Sequence, residues 1–252
     1  MSGHSKWKTI QHKKGAADAR RGKIFSKLSK ELMVVARNGG SDPDKNPPLR
    51  VLIQKAKSVN MPSDNIDRAV KKGAGELEGV SFEEVAYEGY AAGGVGLVVL
   101  ALTDNKNRAA AEIRHIFTKH GSSFAGQGSV KRGFERKGQI FVDAGVVEED
   151  KLMDVVLEAG ADDMKNDDGQ FEILTDPATF ADVTEALEKA EIPTLNAEIS
   201  LLPMVPVPIT EKSVASSVLR FVSDLEDNED VQNVYTNMDM SDQVLKELEE
   251  DA

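Results

Sequence analysis

The stretch Asp162–Asp176, DDMKNDDGQFEILTD, sets a tight Asp168-Gly169 turn between two extended runs. Aspartate followed by glycine supplies the positive φ that a short hairpin turn needs, so the stretch predicts two paired strands. Gly169 at the sixth position of a calcium loop would put Met164 at the first ligand position, which rules that loop out. Upstream, GQIFVDA (138–144) reads as a strand and Glu148–Ala159 as a helix. Downstream, Pro177–Ala190 reads as a helix and TLNAEISLLP (194–203) as a strand. The resulting order, β-α-β-β-α-β, is the ferredoxin-like arrangement.

The flanks of this unit also alternate strand and helix. FEEVAYEGYA (82–91) and VGLVVLALTD (95–104) predict a hairpin through Ala92-Gly93-Gly94. Asn107–His120 predicts a helix with Ala110, Ile113, Ile116 and Phe117 inward, followed by a glycine-rich stretch to Gly133. After Pro203, a short VPIT run, a helix over Glu211–Leu225 and a strand over Val231–Thr236 are too few for a domain of their own. They complete the first α/β unit, which makes the ferredoxin-like unit an insertion.

The amino-terminal segment differs in both charge and period. SKWKTIQHKKGAADARRGKIFSKLSKEL (5–32) holds nine Lys or Arg and two acids. Over Ala19–Arg37, Phe25, Leu28, Leu32, Val35 and Ala36 share one helical face, and Arg20, Lys23, Lys27, Lys30 and Arg37 lie opposite. Asn38-Gly39-Gly40 stops this helix. Asn46 caps a second, with Pro47 at its first position and Leu49, Leu52, Ile53 and Ala56 buried. A third runs from Ser63 through Ile66, Ala69 and Val70 to Gly73, and Gly73–Gly79 is a linker. The expected fold class is therefore multi-domain α+β. It has an all-α basic domain (1–78), a discontinuous α+β domain (79–137 and 203–252) and an inserted ferredoxin-like domain (138–202).

Residues 1–72 carry 17 Lys or Arg against 6 Asp or Glu, a net of +11, whereas residues 73–252 carry 14 against 37, a net of −23. A basic domain on an acidic chain implies an anionic partner. Lysine and arginine neutralise phosphates, and Trp7, the sole tryptophan, offers an indole on which a base can stack. The expected nucleic-acid contacts are Lys6, Trp7, Lys8, Lys13, Lys14, Arg20, Arg21, Lys23, Lys27 and Lys30. Lys131, Arg132, Arg136 and Lys137 form a secondary basic patch where the α/β units join.

Signals for chemistry are sparse. Without cysteine no thiolate metal site exists, and the four histidines form no zinc motif. Gly94-Val95-Gly96 lacks the third glycine of a dinucleotide loop, and there is no phosphate-binding Gly-Lys-Ser/Thr loop. No catalytic residue, metal or cofactor is expected. The longest apolar run is too short to cross a bilayer, so no membrane partner is expected and the cytoplasm is the expected compartment.

GHSKW, DARRGKIFSKL, NPPLR, AKSVNMPSDNIDRAVKKG and YEGYAAGGVGL together resemble the YebC family over essentially the whole chain. Its members include bacterial probable transcriptional regulators and the mitochondrial translational activator of cytochrome oxidase. The resemblance implies a helical amino-terminal domain, two α/β domains, one of them inserted, and neither enzyme activity nor metal. It implies a DNA-binding transcriptional regulator first. A ribosome-associated factor that binds ribosomal RNA and assists synthesis of proline-rich stretches is the alternative, and an enzyme acting in the interdomain cleft is a third class. One segment departs from the family pattern. Lys131-Arg132-Gly133 stands where apolar or aromatic residues commonly precede the Phe, which puts a strand there in doubt.

Overall fold

The computed structural model describes residues 17–167 and 169–250, in eight helices and ten strands. Three helices come first: α1 (Ala17–Gly39), α2 (Pro47–Ser58) and α3 (Ser63–Gly73). Leu28, Leu32 and Ala36 of α1 close over Leu49, Leu52 and Ala56 of α2 and Ile66, Ala69 and Val70 of α3. Asn46 fastens two of these helices. Its side-chain oxygen accepts from the Leu49 N–H at 3.3 Å to cap α2, and its amide donates to the Gly40 carbonyl at 2.9 Å to hold the end of α1. A Cβ at Gly73 would overlap the Met33 backbone, so glycine there allows α3 to close on α1.

The first sheet has the order β3-β1-β2-β9, from β1 (Glu83–Tyr90), β2 (Gly96–Thr103), β3 (Ser123–Ala125) and β9 (Val231–Thr236). The β1–β2 turn places Gly93 and Gly94 at φ +71° and +74°, which glycine adopts without strain. On one face lie α4 (Lys106–Lys119) and α7 (Lys212–Glu226), packing Ile113, Phe117, Val218 and Phe221 against Leu97 and Val99. The alternate residues of the strands, Val98 and Tyr235, turn to the opposite face and meet Val130 and Phe134. Strand β2 is thus buried on both sides, which is why Leu97–Leu102 is an unbroken apolar run rather than an alternating one.

The second sheet is built from β4 (Phe134–Asp143), β5 (Ala161–Asp167), β6 (Gln170–Thr175) and β7 (Thr194–Pro203). Its antiparallel order, β5-β6-β4-β7, is the ferredoxin-like one, with Ile140 opposite Ile173 on one side and Ala197 on the other. Helices α5 (Glu149–Glu158) and α6 (Phe180–Lys189) cover Ile140, Val142 and Ile173 with Leu152, Val156, Val183 and Leu187.

Three details depart from the sequence expectations. Strand β4 begins at Phe134, not Gly138, because the buried Phe134 ring joins Val98 and Tyr235 and its backbone pairs with Pro203. Lys131-Arg132-Gly133 ahead of it form a single 3-10 turn, as the doubt about a strand there anticipated. The glycine-rich stretch contributes the short edge strand β3, with Phe124 opposite Gly89. Past Thr236 the chain adds β10 (Met238–Met240), parallel to β8 (Val207–Ile209), and α8 (Asp242–Glu250), whose Val244, Leu245 and Leu248 extend the first core.

Candidate nucleic-acid interface

Of the cationic face of α1, Lys23, Lys27 and Lys30 meet an anionic surface of the same chain, and Arg37 at its far end bonds Ser81. That surface is the run Glu226-Asp227-Asn228-Glu229-Asp230, which ends α7 and leads into β9. Lys23 Nζ lies 2.7 Å from Asp227 Oδ1. Lys27 donates to the Glu226 carbonyl at 2.8 Å, at the negative end of the α7 dipole. Lys30 donates to the Glu229 carbonyl at 2.8 Å and to Asp230 Oδ1 at 3.0 Å, with its ammonium 5.4 Å from the centre of the Phe82 ring.

The acidic run is also held by residues outside α1. Asn228 donates to Glu112 at 2.8 Å and accepts the Asp230 N–H at 2.9 Å. The buried Asp230 carboxylate also accepts from Arg108 at 2.8 Å and Thr103 at 3.0 Å. Burial opposes its charge, yet the bonds from Arg108, Lys30 and Thr103 hold its pKa below the ordinary value.

A second seam joins α2 to the ferredoxin-like unit, through Glu185 and Glu188 of α6 and Glu198 of β7. Arg50 meets Glu185 at 3.2 Å, Gln54 meets Glu188 at 2.9 Å, and Lys55 meets Glu198 at 2.9 Å. Burial opposes the charge on Lys55, but Glu198 and Glu31 together hold its pKa up. Glu31 itself is pushed above the ordinary carboxylate value by burial, with Lys55 and Lys27 opposing that push and Glu198 adding to it.

The other expected contacts are distributed differently. Lys6, Trp7, Lys8, Lys13 and Lys14 lie outside the described residues, and Arg20 is described only as part of the α1 backbone. Arg21 is exposed two residues before Lys23, about 200° round the helix from it, and Lys57, Arg68 and Lys71 are exposed elsewhere on the bundle. The secondary patch is not one surface. Lys131 and Arg132 are exposed on the turn before β4, whereas Arg136 and Lys137, as neighbours in a strand, point to opposite faces of the sheet. Lys137 is bridged to Asp162 at 3.0 Å and Glu135 at 3.4 Å. The turn itself is fixed from below by Glu88, whose carboxylate accepts the N–H groups of Gly128, Val130 and Lys131 at 2.6, 2.7 and 2.8 Å.

A cavity of about 730 Å³ opens beside His120, Lys212, Ser213, Ser216, Ser217 and Arg220. His120 pairs with Asp224 at 2.8 Å, and Asp224 is also bridged to Lys119 at 2.7 Å. Among the described residues no serine hydroxyl bonds the imidazole, so this is a His–Asp pair without an activated nucleophile. Among the described residues no group of three or more His, Asp or Glu is placed to hold a metal, and no helix is long and apolar enough to cross a membrane.

Sequence reasoning missed the acidic run as a partner of α1. Its signal was present, four acids in five residues, but charge runs carry no address. Only the packing of α7 onto the first sheet brings this one opposite Lys23, Lys27 and Lys30.

Two family models, described as the TACO1/YebC protein N-terminal domain and the TACO1/YebC second and third domain, match residues 5–76 and 82–238. The chain belongs to the TACO1/YebC family. A probable transcriptional regulatory protein of Geobacter sulfurreducens is 52% identical over 248 residues, covering 98% of this chain and 100% of that one. A protein of the same description from Syntrophobacter fumaroxidans is 50% identical over the same shares. Among solved structures, a conserved hypothetical protein of Aquifex aeolicus superposes with a TM-score of 0.81 at 47% identity, covering 90% of this chain and 94% of that one. This TACO1/YebC chain therefore has a fold already seen in a solved structure.

Proposed function

We propose that this TACO1/YebC protein is a non-enzymatic, cytoplasmic regulator of gene expression that binds nucleic acid through residues 1–78. The discontinuous domain of residues 79–137 and 203–252 and the inserted domain of residues 138–202 then serve as its acidic body. One observation carries the reading: three lysines on one face of α1 converge on an acidic run at 2.7–3.0 Å, Lys23 and Lys30 on its carboxylates and Lys27 and Lys30 on its backbone carbonyls. That is the range in which an ammonium holds a phosphate oxygen, so the face is built for anions. The net of +11 over residues 1–72 and the four lysines ahead of α1, with Trp7 among them, extend it.

The names of the relatives favour transcriptional regulation and hence DNA. The face is made of lysines, which grip backbone oxygens and read few bases, so modest discrimination between duplex sequences is expected. Competition at one salt concentration between promoter duplex, random duplex and purified ribosomal subunits tests the assignment. Preference for one promoter by the roughly 10³-fold or more of a specific regulator supports the transcriptional reading. Preference for ribosomal subunits supports the translation-factor reading. Binding to none of the three sinks both.

A further inference from the structure

We propose that the acidic run Glu226–Asp230 is a built-in competitor for the nucleic-acid face of α1, so that the chain is closed at rest and opens when phosphates displace the run. This rests on the reading of α1 as the nucleic-acid face and adds its regulation.

The run presents carboxylates and backbone carbonyls in a line along which Lys23, Lys27 and Lys30 each find an oxygen. Lys23, Lys27 and Lys30 stand one helical turn apart, so the contact follows one edge of α1. A polyphosphate backbone would offer the same lysines the same kind of acceptor. The two partners therefore exclude each other.

The contact is graded. Lys23 and Asp227 are 49% and 65% exposed, so that pair is weak and screened by salt, whereas Lys30 and Asp230, 16% and 5% exposed, form the tie that phosphates must displace. The run stays in place when α1 leaves, because Asn228, Arg108 and Thr103 hold it independently. The movable part is the helical bundle, tethered through Ala74–Ser81, where Gly75 sits at φ +80°. The α2 seam to Glu185, Glu188 and Glu198 must part in the same motion; Arg50–Glu185 is half-exposed and open to screening by salt, and Lys55–Glu198 is more buried.

Full-length chains decide the matter, with a fluorescent single-stranded RNA and a duplex DNA of random sequence as probes. Asp227→Lys places a cation against Lys23 and opens the contact. Asp154→Lys, at an exposed position of α5, makes the same change in net charge away from it. Asp227→Lys is expected to bind about tenfold more tightly than Asp154→Lys at low salt, and equal affinity overturns the proposal. Because the chain has no cysteine, Lys23→Cys with Asp227→Cys also allows a short bismaleimide to lock the contact. The locked form is expected to bind at least about tenfold more weakly than the same variant with its thiols capped separately. Equal binding by locked and capped forms overturns the competitor role while leaving nucleic-acid binding intact. No binding by wild type or any variant overturns the underlying functional reading and the competitor role with it.

Discussion

Lys30 Nζ lies 3.0 Å from Asp230 Oδ1, a partner 200 residues further along the chain. The bond links the basic bundle to the acidic body through a carboxylate that is itself buried and shared with Arg108 and Thr103. An exposed pair of this kind would contribute little. Here the carboxylate is already desolvated, so its three donors matter together.

Asp230→Ala should lower stability by roughly 1–3 kcal/mol, because Thr103 and Arg108 lose a buried acceptor along with Lys30. The pH dependence has a definite sign. The folded pKa lies below the ordinary 3.8, so the contribution is full above that value and fades as pH falls through the lower folded value. Denaturant midpoints of wild type and Asp230→Asn should therefore differ at neutral pH and converge in strong acid.

Glu88 is the second buried carboxylate with a structural task. Burial works against its charge, but the N–H groups of Lys131, Gly128 and Val130 hold its pKa below 4.5. Glu88→Gln replaces one acceptor oxygen by a donor that faces N–H groups, and should reduce stability by about 1–3 kcal/mol. Amide exchange at Gly128, Val130 and Lys131 should accelerate well beyond the global change. Uniform acceleration across the chain would show that Glu88 does not anchor this turn in particular.

Glu31 carries the opposite sign. Burial raises its pKa, so the folded chain binds its proton more tightly than the unfolded chain does. Its unfavourable contribution is absent below the ordinary value of 4.5 and grows as pH rises through the folded value. Glu31→Gln should raise the melting temperature at neutral pH, and the gain should disappear in acid below the ordinary carboxylate range. A loss of stability at neutral pH would mean that Lys55 needs the Glu31 charge.

Local chemistry made much of this fold legible. Leu28, Leu32 and Ala36 stand on the buried face that their spacing required, and Asn46 caps α2 as its position before two prolines indicated. The hairpin around Gly169 pairs Asp167 with Gln170, in the turn the Asp-Gly signal specified. Helix α4 seats as its spacing indicated, with Ile113 and Phe117 buried in the first core and Ala110 and Ile116 packed against it, and Ala109 is buried as well. What escaped reading depends on distant partners. Phe134 joins a strand because Val98 and Tyr235 wait beside it, and β3 is three residues long because only Gly89 and its neighbours offer pairing. The cationic face was visible as a face, but nothing near Lys23 in sequence names Asp227.

The most direct test of α1 as the anion-binding face is the salt dependence of nucleic-acid affinity in Lys23→Gln, Lys27→Gln, Lys30→Gln combined, with circular dichroism confirming retained helix. If these lysines take phosphates in the open state, affinity should drop at least about tenfold and the log-log salt slope should flatten by up to about 2.7, from roughly 0.9 per duplex phosphate contact. An unchanged affinity and slope would contradict the account and leave these lysines as ties between two parts of one chain.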